Sequence, residues 1–186
     1  MENFLNYLEH ITPLSGSACT AIKRKLKKAE YPKNEVLIKE LSRCEYLYFV
    51  EKGLARASYF KDGKDITDWF APEGSIIGPV VRHFPTKEGQ HSVTLLEDTT
   101  VIGISFADLQ ELYDEFHEIE RLGRMIAIQT ILLLQFKIDS IQFLTAKQRY
   151  AHFIKTQPSI LQRASLGYIA SYLGMNQVTL SRIRKS

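Results

Sequence analysis

The sequence predicts an α+β protein: a rolled sheet of many short strands flanked by helices, then one long helix, then a short, basic helix pair. Residues 35–105 are a succession of short β-type runs separated by turn residues, the texture of a sandwich or rolled barrel. From about 118 to 140, apolar residues recur at helical spacing over roughly 34 Å of helix. The last twenty-two residues, 165–186, hold two short apolar repeats on either side of Gly174, with the cationic groups gathered on the second.

Residues 2–11 and 17–29 have the spacing of two amphipathic helices, separated at Thr12-Pro13. The basic run from Lys23 to Lys28 on the second reads as a solvated face. β-type runs follow at 36–39, 46–51, 55–60, 65–70, 92–96 and 100–105, and Asp62-Gly63 between two of them is a hairpin signal. Residues 106–116 return to helical spacing. The long helix carries more than one apolar stripe. One covers the sheet; the other, Ile119-Leu122-Ile126-Gln129-Leu133-Phe136, has the spacing that pairs helices. A chain of 186 residues with one small roll has little else to bury it, so a homodimer through this helix is expected.

Residues 145–156 form a further helix ended by Pro158, and 157–163 link it to the final pair. There Ser165 caps a helix with Leu166, Ile169, Ala170 and Leu173 inward, and Gly174 supplies a left-handed stop. Asn176 caps a second helix with Val178 or Thr179, Leu180 and Ile183 inward, leaving Gln177, Ser181, Arg182, Arg184 and Lys185 facing out. This is the arrangement of a helix–turn–helix, which needs an apolar seam and a polar, basic face for a DNA groove. The three parts divide at 1–116, 117–140 and 141–186.

The net charge of +3 hides an uneven distribution. Residues 1–136 carry 16 Lys/Arg and 20 Asp/Glu, a net of −4, whereas 137–186 carry 8 basic groups and one acid, Asp139, a net of +7. An end free of acids is suited to a polyanion. Cys19 and Cys44 are too few for a disulfide framework or an iron–sulfur cluster. No run approaches the ~20 apolar residues of a membrane span, and the first ten residues lack the pattern of a secretion signal. The expected setting is cytoplasmic, with no membrane. No nucleophile–base pairing, phosphate-cradling glycine loop or metal triad is present, so neither catalytic nor metal residues are assigned and no enzyme or cofactor is expected. His83 and His91 flank a loop without a spaced third ligand; His10, His117 and His152 are isolated.

A roll, one long helix and a basic helix–turn–helix together resemble the cyclic-AMP receptor protein family, the Crp–Fnr regulators, over nearly the whole chain. The first strands and their glycine turn are matched by Val36-Leu37-Ile38-Lys39 and by residues 46–53, ending at Gly53. Residues 59–64 and 68–78, through Asp62-Gly63 and Glu73-Gly74 to Gly78, are similar to the hairpin leading into the ligand cassette. Residues 166–174 and 179–185 resemble the DNA-binding element, especially the form seen in Bacteroidetes members. The β-wing that usually follows in the family does not follow here. The resemblance implies a cyclic-nucleotide-binding-type roll, a dimerisation helix, a pseudo-palindromic double-stranded DNA site, a small-molecule effector and contact with RNA polymerase.

The ligand-pocket positions implied by the resemblance are Gly78, Val80, His91 and Ser92. In cyclic-nucleotide-binding members a glutamate after the glycine holds the ribose and an arginine neutralises the phosphate; here Pro79 and His91 stand in those places. Proline has no side-chain acceptor and no N–H, and a histidine cannot make a guanidinium's bidentate contact. At about 1.5–3 kcal/mol for each charge-assisted hydrogen bond, losing both costs several kcal/mol. A different effector, or none, stays open. Carried over residue by residue, Gln177, Val178, Ser181 and Arg182 hold base-facing positions, and Thr179, Arg184 and Lys185 phosphate-facing ones. Val178 stands where the family commonly has a glutamate, which shifts the preferred base. The rival reading is a dimeric sensor or scaffold module without specific DNA binding. Calorimetry with cyclic AMP is expected to show no micromolar binding; a micromolar Kd would contradict this reading of the pocket.

Overall fold

The computed structural model describes residues 2–42, 44–78 and 91–185. Two helices, α1 (Glu2–Ile11) and α2 (Gly16–Lys25), lead into the strands β1 (Lys27–Tyr31), β2 (Val36–Ile38), β3 (Tyr46–Lys52), β4 (Ala55–Lys61), β5 (Lys64–Ala71), β6 (Ile76–Ile77), β7 (Ser92–Leu95) and β8 (Thr99–Ser105). The helices α3 (Phe106–Glu115), α4 (His117–Phe143), α5 (Ala146–Thr156), α6 (Ile160–Arg163), α7 (Leu166–Tyr172) and α8 (Gln177–Lys185) follow. The strands pair antiparallel in two sheets, ordered β1-β8-β3-β6 and β2-β7-β4-β5.

Alternation along the strands divides the apolar groups between separate cores. Val50 and Ile77 of the first sheet share a buried cluster with Ala55, Ala57, Val93 and Leu95 of the second, the interior of the roll. Phe49, beside Val50, points to the opposite face, as successive strand residues must. There, with Ile102 and Ile104, it packs against α1, α2, α3 and the start of α4. At the Asp62-Gly63 turn both φ values are positive, +51° and +72°, as a two-residue hairpin with a right-handed twist requires. Gly53, between β3 and β4, has φ +110°, and a Cβ there would fall 2.8 Å from the Thr99 Cα.

Several helix starts are fixed by local sequence. The Oγ atoms of Ser15, Ser105 and Ser165 accept from the backbone N–H three residues on, and Thr145 with Gln148 forms a reciprocal capping box. Ser15 also donates its N–H and Oγ–H to the Glu118 carboxylate, tying α2 to the first turn of α4.

The structure corrects two sequence expectations and adds a strand the sequence did not announce. The helix predicted over 17–29 stops at Lys25, and 27–31 become β1, an edge strand whose exposed Lys28 pairs with Glu51 of β3. β6, two residues long, has no signature of its own in the sequence. The stripe expected to pair helices is partly used up within the chain. Ile119 and Leu122 are buried against α1, α2 and the roll, with Ile126 beside them, so the first half of that stripe is covered within the chain. The exposed apolar groups lie further on: Ile131, Leu132, Leu133 at 71 %, Phe136, Ile141 and Phe143. By length and composition alone α4 could cross a bilayer. Its opening turns, however, are locked on the roll, and Lys137 is ion-paired with Asp68 of β5.

Candidate nucleic-acid interface

The seam between α7 and α8 follows from the sequence residue by residue. Ile169, Ala170, Leu173 and Leu180 are buried together. Gly174 takes φ +65°, its N–H donates to the Ser171 carbonyl, and the Met175 N–H donates to the Ala170 carbonyl, the double bond of a Schellman stop. Asn176 Oδ1 accepts from the Thr179 N–H at 2.7 Å and so starts α8. With Leu180 at 0 % exposure as the anchor, Gln177, Val178, Arg182, Arg184 and Lys185 are exposed, and Thr179 and Ser181 are half-buried. Val178 is 61 % exposed, so of the two alternatives for the inner face it is Thr179 that turns in. Gln177, Val178, Ser181, Arg182 and Lys185 fall on one side of the helix by spacing. α8 carries no acid, and Arg182, Arg184 and Lys185 sit in its last turn, where they complement the helix dipole.

The helix pair is held from two directions. Arg149 of α5 donates through Nε to the Leu173 carbonyl at 2.8 Å and through a terminal nitrogen to the Leu144 carbonyl at 2.6 Å, joining the end of α7 to the end of α4. From the other side the roll supplies part of the core. Leu54 and Phe70 join Phe153, Ile160, Ile169 and Leu173 in one buried cluster, and the Phe70 and Tyr172 rings lie 5.5 Å apart.

Polar groups complete this docking, and none was singled out from the sequence. Arg56 on β4 is 4 % exposed. Its Nε donates to Thr67 Oγ1 at 2.8 Å, a terminal nitrogen donates to Asp65 Oδ1 at 2.5 Å, and its guanidinium lies 3.8 Å from the centre of the Tyr168 ring of α7. A buried guanidinium needs such partners, and the ring is a favourable lid. The Thr67 N–H donates to Ser171 Oγ. Arg163, at the end of α6, donates to both oxygens of Glu73 at 2.8 and 2.9 Å and to the Glu97 carboxylate. Pairings separated by 66 and 90 positions leave no local pattern.

The pocket positions disperse. Gly78 lines a groove of about 590 Å³ between β5, α4 and α5, together with Gln129, Thr130 and Lys137. His91 Nε2 lies 3.1 Å from Asp68 Oδ2, and its ring meets Tyr59 edge-on. Ser92 Oγ accepts the Glu40 N–H at 3.1 Å, a structural use. Pro79, Val80 and His83 lie outside the described residues. Among the described residues no group of three or more His, Cys, Asp or Glu side chains is placed to hold a metal ion.

Residues 28–116 match the family described as the cyclic nucleotide-binding domain. FixK2 from Bradyrhizobium japonicum superposes with a TM-score of 0.73 at 21 % identity, over 86 % of this chain and 83 % of that one. The catabolite activator protein of Thermus thermophilus gives 0.61 at 17 %, over 96 % and 85 %. A chain from Eubacterium rectale described as a transcriptional regulator of the Crp/Fnr family gives 0.73 at 16 %, over 97 % and 86 %. No curated protein matches the sequence. Residues 28–116 are thus a cyclic nucleotide-binding domain in fold. With α4 and the C-terminal helices, the whole chain has the Crp/Fnr-type fold that the sequence resemblance implies.

Glu73 is the carboxylate most affected by the docking. Burial acts to raise its pKa, but the Arg163 guanidinium and the Gly53 N–H outweigh it and bring the value from 4.5 down to about 2. A folded-state pKa below the unfolded one stabilises above the unfolded value and is lost as pH falls through the folded one. Between pH 4.5 and 2 the protein should therefore lose more stability than Glu73→Gln, which has no carboxyl to protonate there. Denaturant melts at stepped pH measure this; parallel losses in the two proteins would contradict it.

Proposed function

We propose that the chain is a sequence-specific DNA-binding transcription regulator that acts as a homodimer. The observation that carries the reading is α8: an acid-free helix anchored by buried Leu180, with Gln177, Val178 and Arg182 exposed on one side of it. As the second helix of a helix–turn–helix it would enter the major groove. There Arg182 could take a guanine by a bidentate pair, Gln177 an adenine, and Val178 a thymine methyl. Thr179, Arg184 and Lys185 would position the helix on phosphates, with Ser181 beside the base edges.

One helix of nine residues offers too few contacts for specificity. Two, set about 34 Å apart by a dimer, would read a pseudo-palindrome in successive major grooves. The exposed apolar half of α4 is the surface such a dimer would cover. In this reading residues 1–116 sense, the long helix that follows joins the subunits, and residues from 141 onward read DNA. RNA polymerase is a further partner, and the expected setting is cytoplasmic. The pocket is degenerate toward cyclic AMP: Ser92 is engaged by the backbone and His91 by Asp68, and neither replaces a guanidinium.

A gel shift with a genomic fragment pool tests the reading. Binding should weaken steeply between about 50 and 200 mM salt, because releasing counterions from the phosphates gains less at higher salt. Arg182→Ala should cost about 1–3 kcal/mol and relax preference at one base pair in each half-site. Salt-insensitive binding, or no binding, would favour a dimeric sensor or scaffold instead; an unchanged preference would remove Arg182 from the readers.

A further inference from the structure

Two strands of the roll carry the candidate pocket positions: β6 runs into Gly78, and β7 starts at Ser92, next to His91. Each leads at its other end to a carboxylate. Glu73 lies in the turn before β6, five residues from Gly78, and Glu97 in the turn after β7, five residues from Ser92. Both carboxylates converge on one side chain, Arg163. Arg163 is the last residue of α6, two positions before Ser165, the residue that caps α7. The turn holding Glu73 is itself tightly fixed. Gly74 at φ +83° donates its N–H to the Val50 carbonyl, and Glu73 accepts the Gly53 N–H at 2.8 Å. A shift of either strand therefore reaches the guanidinium through a short, stiff path.

We propose that Arg163 is a positioning residue through which the two pocket-bearing strands set the orientation of the α7–α8 pair, the Glu73 and Glu97 carboxylates acting as the two jaws that hold it. This rests on the reading of α8 as a DNA reader. With both jaws engaged, the helix pair stays docked on β5 through Ser171–Thr67 and on β4 through Tyr168–Arg56. Displacing one strand withdraws one jaw and leaves an incompletely neutralised guanidinium at the entry to α7. A bidentate fork suits this use, because it constrains direction as well as distance. Arg163→Lys would keep the charge and lose the fork.

Hydrogen exchange of the full chain, read over residues 160–173 and 64–71, tests the jaws directly. Arg163→Gln and Glu97→Gln should each raise exchange in both segments by roughly fivefold, with Arg163→Lys intermediate. The strand coupling is tested by a double-mutant cycle. A side chain at Gly78 would crowd the Leu47 side chain of β3, so Gly78→Val perturbs the packing at the end of β6. It should raise exchange over 160–173 in the otherwise unaltered chain and add little in the Arg163→Gln background. Ser92→Val, which removes the acceptor of the Glu40 N–H, gives the same cycle from β7 should Gly78→Val fail to fold. Unchanged exchange in Arg163→Gln and Glu97→Gln, or the same increment from strand displacement in both backgrounds, would overturn the proposal. Gel shifts of the same variants separate the two ideas. An unaltered chain that binds no DNA sinks the reader, whereas the exchange data decide the jaws.

Discussion

The C-terminal helices are too small to bury a core by themselves. A unit of about 45 residues sits near the size below which isolated domains need a staple or a partner. Here the partner is the roll: Leu54 and Phe70 lie in the same buried cluster as Phe153, Ile160, Ile169, Leu173 and Leu180. The consequence reaches beyond stability. Helices that borrow their core from the roll cannot move independently of it. Any separation of the two exposes Phe70 and Tyr172 and strips Tyr168 from the Arg56 guanidinium. The buried Arg56, the Ser171–Thr67 bond and the Arg163 clamp add direction to an attachment that apolar burial alone would leave loosely oriented.

The long helix faces the opposite constraint, an apolar excess. Its first turns complete the core under α1, α2 and α3, and Glu118 fastens them to Ser15. Past Gln129 a row of Ile, Leu and Phe side chains faces outward, while Lys137 still pairs with Asp68 of β5. Soluble monomers seldom keep a contiguous apolar patch of this kind. A second copy aligned along the same helix would cover it and present two α8 helices together. In the proposed regulator, the dimer and the double reader would both rest on this one surface.

What could be read from the sequence was local. Ser165, Asn176, Gly174 and Asp62-Gly63 act within a few residues of themselves, and each does in the structure what its chemistry dictates. What could not be read depends on partners far along the chain. β1 is a run of charged residues whose only reason to be a strand is the open edge of β8. Spacing could not separate the part of the α4 stripe that meets the roll from the part that faces out, because both obey the same 3–4 repeat. Arg163 and Arg56 look like ordinary surface cations until the carboxylates and the tyrosine arrive from other elements. The exposure of Gln177, Val178 and Arg182, the positions proposed to face DNA, was legible because helix spacing and caps are local. The pocket was less so, since Ser92 and His91 take their roles from Glu40 and Asp68.

The most direct measurement is selection of bound sequences from a random duplex library by the purified chain. A dimeric reader predicts enrichment of a pseudo-palindrome whose half-site centres lie about 34–36 Å, or one helical turn, apart. Enrichment of an isolated half-site, or of no sequence at all, would contradict it.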